Sequence, residues 1–438
     1  MASTTISRTM AANNEKKLTV SMWVKRSKIG SEQFLLGSYY SGSYWGDIRF
    51  NGDDTITFAD YRNSYILKLV TNAKFRDTHS WYHIVCNYDI SIGSPTAKIY
   101  VNGELQTLST NTIYSQNATT SWNTDYSLRI GSYNSNTYFD GIMADFYFIQ
   151  GYTYEASTFG ETDSTTGEWK PNTNPTINYG GTGGNSCNLK FENSANMDLD
   201  SGSNNVSFTT SGTLTQTQDN PSNVFCAFNP LIRPVNIFYA KTNSRIEISS
   251  GNSWQTGFGT LGMEKGSGKY YMEFKLINGT KAAFGIADYK AAGVIDRVQR
   301  NENRYIGEYA NSYGYHYGGN FYYNGSSTSS GWDSFTTSNI IGMAVDMENM
   351  KLYFHKDGTY QNSGNPSAGS GGYSINDPKN CYLPAVSIEA CAACANWGNG
   401  TFDGTAISSE GTNASGIGKF EYDVPTGYTA LSTKGLNE

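Results

Sequence analysis

The chain has 438 residues and a formal net charge of −7. That length is too great for one ordinary sandwich and predicts two domains with a connector, each able to bury its own core. Charged residues make up only 16% of the chain, and no basic run or arginine stripe appears. This argues against binding of a nucleic-acid backbone, and no apolar stretch approaches the length of a membrane span.

The composition predicts β structure. Aromatic residues reach 14%, with 33 Tyr, and Gly numbers 47. Aromatic and β-branched residues favour strands, while Gly and Asn favour tight turns. With so few charges, the surface must be Ser, Thr, Asn and Tyr, as in many sugar-binding or particle-bound proteins. The start, Met1 to Ile6, lacks a basic-then-apolar signal pattern, so folding in a cytosol is expected. The stretch of about fifteen residues from Met1 is polar and reads as an arm.

Short alternating runs then follow in chain order. They are Leu18 to Val24, Trp81 to Cys86, Ala97 to Val101, Leu128 to Gly131 and Ile142 to Phe148. Asn102-Gly103 is a strong hairpin signal. Residues 163–222 read as connector: residues 160–186 are rich in Gly, Thr, Asn and Pro, and weak order returns at Cys187 to Phe191 before fading through Ser201 to Asn220. A second series begins near Phe225 and includes Tyr270 to Leu276, Ala283 to Ala287, Tyr313 to Tyr323, Ile340 to Asp346, Lys351 to Lys356 and Tyr382 to Ile388. Asp357-Gly358 marks another hairpin. The one segment with a helical period, and a poor one, is Ala282 to Arg300. The expected organisation is an arm over 1–15, a sandwich over 16–162, the connector, and a second sandwich over 223–438. The fold class is all-β, with two antiparallel jelly-roll domains.

The first half resembles laminin-G-like, or concanavalin-A-like, modules. Leu18 to Val24 resembles their opening strand, Trp81-Tyr82-His83-Ile84-Val85 their W-x-H-V strand, and Tyr100-Val101-Asn102-Gly103 their hairpin. Tyr138 to Phe146 resembles the closing F-x-G-x-I-x-D strand. The second half resembles a SPRY module. Its marks are Gly268 to Phe274 for G-K-x-Y-x-E, Phe284 to Ala287, Ile341 to Asp346, Lys351 to Gly358, Tyr382 to Val386 and Asn396-Trp397-Gly398. The joining segments Gly167 to Pro171 and Asp219 to Phe225, with the ending Phe420 to Tyr428, resemble tailed-phage proteins that carry both modules in tandem. That resemblance implies a virion structural protein and supplies no functional residues.

Loops carry binding, and Tyr is amphipathic. Tyr39, Tyr40, Tyr44 and Trp45, in a Gly/Ser-rich stretch read as a loop, are therefore candidate sugar-stacking residues. Tyr313, Tyr315 and Tyr317 are a second candidate set, against a reading in which one side of that strand packs inward. Trp254 and Trp332 would cap a core or meet a partner. Asp47, Asp53 and Asp54 lie in a plausible calcium loop, but the dense oxygen code of a calcium loop is missing. Cys391 and Cys394 form a lone C-x-x-C, read as small buried thiols rather than a redox pair or zinc half-site. No cofactor and no metal are expected. Catalysis by paired carboxylates would fall to Glu421-Tyr422-Asp423, which has no later Glu at the right offset, so an enzyme is not expected.

The expected function is a phage tail fibre or capsid-surface appendage that attaches to host-surface glycan or to a protein receptor. It would act among other virion proteins and as a homo-oligomer, a trimer being one candidate. It would touch no nucleic acid and insert in no membrane. The alternatives are a decoration protein without a host ligand, and a polysaccharide depolymerase.

Overall fold

The computed structural model describes residues 4–134, 136–180, 184–232, 234, 236–248, 251, 253–289 and 303–437. The chain divides into two units, Met1–Gln216 and Thr217–Glu438. Among the described residues there is no α-helix, only strands and four short 3-10 turns.

The N-terminal unit pairs two antiparallel sheets. The larger runs, in spatial order, Leu108–Thr112, Tyr65–Thr71, Ile56–Arg62, Tyr44–Phe50, Gln33–Ser41, Ser127–Ile130, Thr5–Thr9 and Thr209–Ser211. The smaller runs Cys187–Leu189, Gly141–Gln150, Lys17–Arg26, Tyr82–Asp89, Thr96–Val101 and Glu104–Leu105. Alternation sends Val20, Met22 and Val24 from one sheet, and Ile48, Phe50 and Phe58 from the other, into a shared core with Trp122 at its centre. Each large apolar side chain buried there contributes roughly 1.5–3 kcal/mol. The Asn102-Gly103 hairpin forms as expected, with φ of 49° and 84°.

Two boundaries differ from the sequence reading. The arm is not free: Thr5–Thr9 pairs with both Ser127–Ile130 and Thr209–Ser211, and Ile6 enters the core. Much of the expected connector also belongs to this unit. Cys187–Leu189 extends the smaller sheet, and Trp169–Pro171 pairs with Gly160–Thr162. The Trp169 indole N–H donates to His83 Nδ1 at 3.0 Å, so His83 carries its proton on Nε2 and donates to Ser21 Oγ at 2.9 Å. Burial holds His83 neutral, its pKa pulled down to about 3.

The C-terminal unit has the same two-layer plan. One sheet runs Ile237–Ala240, Arg245–Ile248, Ala392–Asn396, Lys269–Asn278, Ile340–Asp346, Lys351–Lys356 and Thr359–Tyr360. Thr429–Ala430 joins it by parallel pairing with Lys269–Asn278. The other runs Gln255–Phe258, Tyr382–Glu389, Lys281–Asp288, Ser312–His316, Asn320–Tyr323 and Ser326–Ser330. Phe274 and Phe284 stack across the core at 5.1 Å. The run Ala283 to Ala287 lies in the strand Lys281–Asp288, as expected, paired on both sides, so the weak helical period over Ala282 to Arg300 makes no helix there; residues 290–300 lie outside the described residues.

On the outer face of the longer sheet a buried polar chain holds the C-terminal segment. Gly358 N–H donates to His355 Nδ1 at 3.1 Å, leaving Nε2–H to donate to Tyr271 Oη at 2.6 Å. The Tyr271 hydroxyl then donates to Glu273 at 3.2 Å. Glu273 also accepts from the Glu421 and Tyr422 N–H groups at 3.0 and 2.8 Å, and from Asn396 at 3.1 Å. Burial pushes the Glu273 carboxyl up to about 7 against these donors. Residues 421–423 form no strand but a strap, two of whose N–H groups are held by the Glu273 carboxylate.

None of the six cysteines is joined in a disulfide. Burial pushes Cys391 up to about 11 and Cys394 to about 12, as inert thiols behave. Among the described residues no group of three or more His, Cys, Asp or Glu side chains is placed to hold a metal ion.

Glu273→Ala strands four donors at once. It is expected to cost about 3 kcal/mol of C-terminal-unit stability and to speed amide exchange at Glu421 and Tyr422. Urea unfolding and hydrogen exchange by mass spectrometry would check both.

Candidate functional site

Tyr39 to Trp45 is not a loop. The turn is confined to Gly42-Ser43, and the aromatic residues sit on the paired strands Gln33–Ser41 and Tyr44–Phe50. Alternation then separates the four candidates. Tyr39 and Trp45 are paired in register and share one face. Tyr40 and Tyr44 lie on the other, where Tyr40 stacks on Tyr126 at 5.1 Å and Arg62 sits over Tyr44 at 5.2 Å.

The Tyr39–Trp45 face is the outer face of the larger sheet, and it gathers partners that sequence reasoning missed. Trp45 stacks on Tyr61 of the next strand at 5.2 Å and meets Tyr65 and Tyr133 edge-on at 5.8 and 5.5 Å. Tyr133 touches Tyr39 at 5.2 Å and stacks on Phe34 at 4.9 Å. The signal for Tyr61 was available in principle, since it falls directly opposite Trp45 in the ladder. Tyr133 comes from the segment after Ser127–Ile130 and has no local signal. Tyr39, Trp45, Tyr61 and Tyr133 are half-buried, and Tyr65 is 37% exposed. The result is a connected ring surface with solvent on one side.

Charge borders this platform. Lys68 Nζ lies 4.3 Å from the Tyr65 ring centre. Asp47, two residues from Trp45 on the same face, is buried and accepts from Arg49 Nη1. Arg49 also reaches Glu32 at 3.6 Å and lies 5.4 Å from the Phe34 ring. Burial pushes Asp47 up to about 7 despite Arg49. Gly46, between Trp45 and Asp47, faces inward, where a Cβ would come 2.7 Å from Trp122. The core tryptophan thus fixes the floor on which the outer rings stand. Behind it, Asp60 accepts from the Tyr114 and Ser121 hydroxyls and the Ser121 N–H at 2.7–2.8 Å.

The other candidates fare differently. Tyr313 and Tyr315 are core residues, 2% and 0% exposed. Their spacing put them on one side of the strand, and that side faces inward, so they are unavailable to a ligand. The Tyr313 hydroxyl accepts from Asn376 N–H at 2.9 Å, and Tyr315 donates to the Asp333 carbonyl. Tyr317 is half-buried against the same core. Trp254 packs on Tyr305 and His316, and Trp332 on Tyr315 and Phe321; both cap packed rings. The three aspartates weighed for calcium do different work. Asp47 holds Arg49, Asp54 pairs with Arg26 and Arg76 at 3.2 and 3.1 Å, and Asp53 accepts from Thr55. Glu421 and Asp423 accept from Ser408 and Thr412. A similarly spaced pair, Glu161 and Asp163, shares Lys170 at 3.5 and 3.0 Å.

With this geometry in hand, the family matches are informative. The model of the concanavalin A-like lectin/glucanases superfamily, laminin-G type, matches residues 2–153, and that of the SPRY domain matches residues 269–399. The chain is a two-domain β-sandwich protein of the ligand-binding or adhesion type, carrying a concanavalin A-like domain followed by a SPRY domain. Among solved structures, the SPRY domain of human HERC1 is 16% identical, with 39% of this chain and 96% of that one covered and a TM-score of 0.29. A SAP-like pentraxin from Limulus polyphemus is 13% identical, with 35% and 73% covered and a TM-score of 0.27. Domains LG4-5 of mouse laminin alpha1 are 10% identical, with 90% and 84% covered and a TM-score of 0.30. A comparison with curated protein sequences returned no match.

The Asp47 carboxyl binds its proton more tightly folded than unfolded. The folded form therefore loses stability as pH rises from about 4 through about 7. Asp47→Asn removes that slope. Relative to the parent, the variant is expected to gain roughly 2–4 kcal/mol between pH 4 and pH 8, measured by urea unfolding across that range.

Proposed function

We propose that this chain is a structural protein of a tailed-phage particle, a fibre or surface appendage, and that its concanavalin A-like domain attaches to host-surface glycan. The observation that carries the reading is the half-exposed ring platform of Tyr39, Trp45, Tyr61, Tyr65 and Tyr133. Rings of this kind stack against the apolar face of a sugar, while tyrosine hydroxyls and bordering polar groups meet its edges. The weakly charged surface suits a neutral polyhydroxyl ligand. The resemblance of the joining segments and the ending to tandem-module phage proteins supports the particle setting.

A flat platform gives weak single contacts. Copies arrayed on one particle turn weak contacts into firm attachment through effective concentration, and a symmetric homo-oligomer would present several platforms together. A non-catalytic role is supported by the engagement of Glu421 and Asp423 with Ser408 and Thr412, and of Glu161 and Asp163 with Lys170.

Trp45→Ala and Tyr65→Ala are each expected to lower binding to host envelope glycans at least about tenfold, a loss of about 1.4 kcal/mol, without loss of fold. Glycan arrays and adsorption to host cells measure this, and immunogold labelling of particles tests the location. Full adsorption by both variants would sink the glycan reading and favour a decoration protein. Release of oligosaccharides by the pure protein would establish a depolymerase instead.

A further inference from the structure

Away from the ring platform, the N-terminal unit has a groove of about 510 Å³ beside its first strand. Arg8, Asn204, Asn205, Ser207, Phe208 and Thr209 line it. A volume of this order suits a small ligand. Arg8 sits on Thr5–Thr9, opposite Leu128 on one side and next to the Thr209–Ser211 pairing on the other. Alternation places it on the same strand face as the core residue Ile6.

Its guanidinium is under-used. Nε donates to the Thr9 carbonyl at 3.3 Å, and the carbon of the fork lies 5.9 Å from the Phe208 ring. Nη1 is buried and meets no acceptor among the described residues. Among the described residues no carboxylate lines the groove. The nearby acid, Asp200, is committed elsewhere, for it accepts from the N–H groups of Asn188, Gly202 and Val206 at 2.8 Å each. Those bonds also set the shape of the 200–206 turn. Burial lowers the Arg8 pKa from its ordinary value, which reports a cation removed from water without full compensation.

The rest of the lining is neutral and rich in hydrogen-bonding groups. Asn204 spends its amide N–H groups on the Tyr179 and Ser186 carbonyls, both at 2.9 Å, which leaves its side-chain oxygen to accept. Asn205, Ser207 and Thr209 add amide and hydroxyl groups, and Phe208 adds one apolar face.

The geometry points to a second binding site, one for an acidic sugar. The carboxylate would meet the groove-lining guanidinium of Arg8, a charge-assisted contact, and the sugar hydroxyls would meet Asn204, Asn205, Ser207 and Thr209. This site is independent of the ring platform and would confer a preference for uronic acid units.

The test is calorimetric titration of the full chain at low ionic strength with glucuronate, glucose and acetate. Glucuronate is expected to bind at least about tenfold more tightly than either of the others. Arg8→Gln should abolish that preference. Ser207→Trp, at an exposed position, should block the groove while leaving the melting temperature unchanged, so that loss of binding is separable from loss of fold. Equal affinity for glucuronate and glucose, acetate binding as tightly as glucuronate, or glucuronate binding unchanged in Ser207→Trp would overturn the assignment.

Discussion

The period-two alternation of side chains along a strand is the constraint on which everything else here rests. It gives each sheet one face for the core and one for something else. In the N-terminal unit it seats Ile48 and Phe50 inside while Trp45, Asp47 and Arg49 of the same strand stand outside. One residue of slip would invert that strand, bury the Arg49 guanidinium and expose the core. The platform rings are therefore placed by the core: the same register that packs Ile48 against its neighbours sets Trp45 beside Tyr61.

Buried acids fix packed segments on the inner face of one sheet and on the outer face of another. Asp60 gathers Tyr114 and Ser121, and Glu273 gathers Tyr271, Asn396 and two strap amides. Burial lifts both carboxyls, Asp60 to about 6 and Glu273 to about 7. An acid taken out of water is tolerated only when donors converge on it. Each therefore specifies one loop arrangement, since other arrangements leave its oxygens unmet. Such hubs join segments far apart in sequence with a single side chain.

The sequence reading was strongest where local physics decides. Alternating runs such as Lys17–Arg26 and Ile340–Asp346, and the turns at Asn102-Gly103 and Asp357-Gly358, appear where patterning and turn chemistry placed them. It failed where composition and conformation diverge. Gly and Ser around Tyr39 to Trp45 suggested a loop, yet two residues suffice for the turn. Thr5–Thr9 is polar on alternate positions but has Ile6 as its anchor, and only its partners reveal it as a strand. Period two told that Tyr313 and Tyr315 share a face but not which face, because that depends on what covers Gly314, namely Ile306. Two of the five platform rings, Tyr39 and Trp45, were legible. Tyr61, Tyr65 and Tyr133 join through long-range register and a crossing segment, which no local window contains.

The pairing of distant ends has a bearing on biosynthesis. Thr5 lies opposite Ser211, and Phe225 bridges Ser432. A chain emerging in order from the ribosome holds each unit's opening segment exposed until the closing one arrives. Contacts of such wide separation fold slowly, and strand edges left waiting are vulnerable to mispairing with other chains. Ser7, Arg8 and Thr9 of the opening strand are polar or charged, the kind of edge residue that discourages such mispairing.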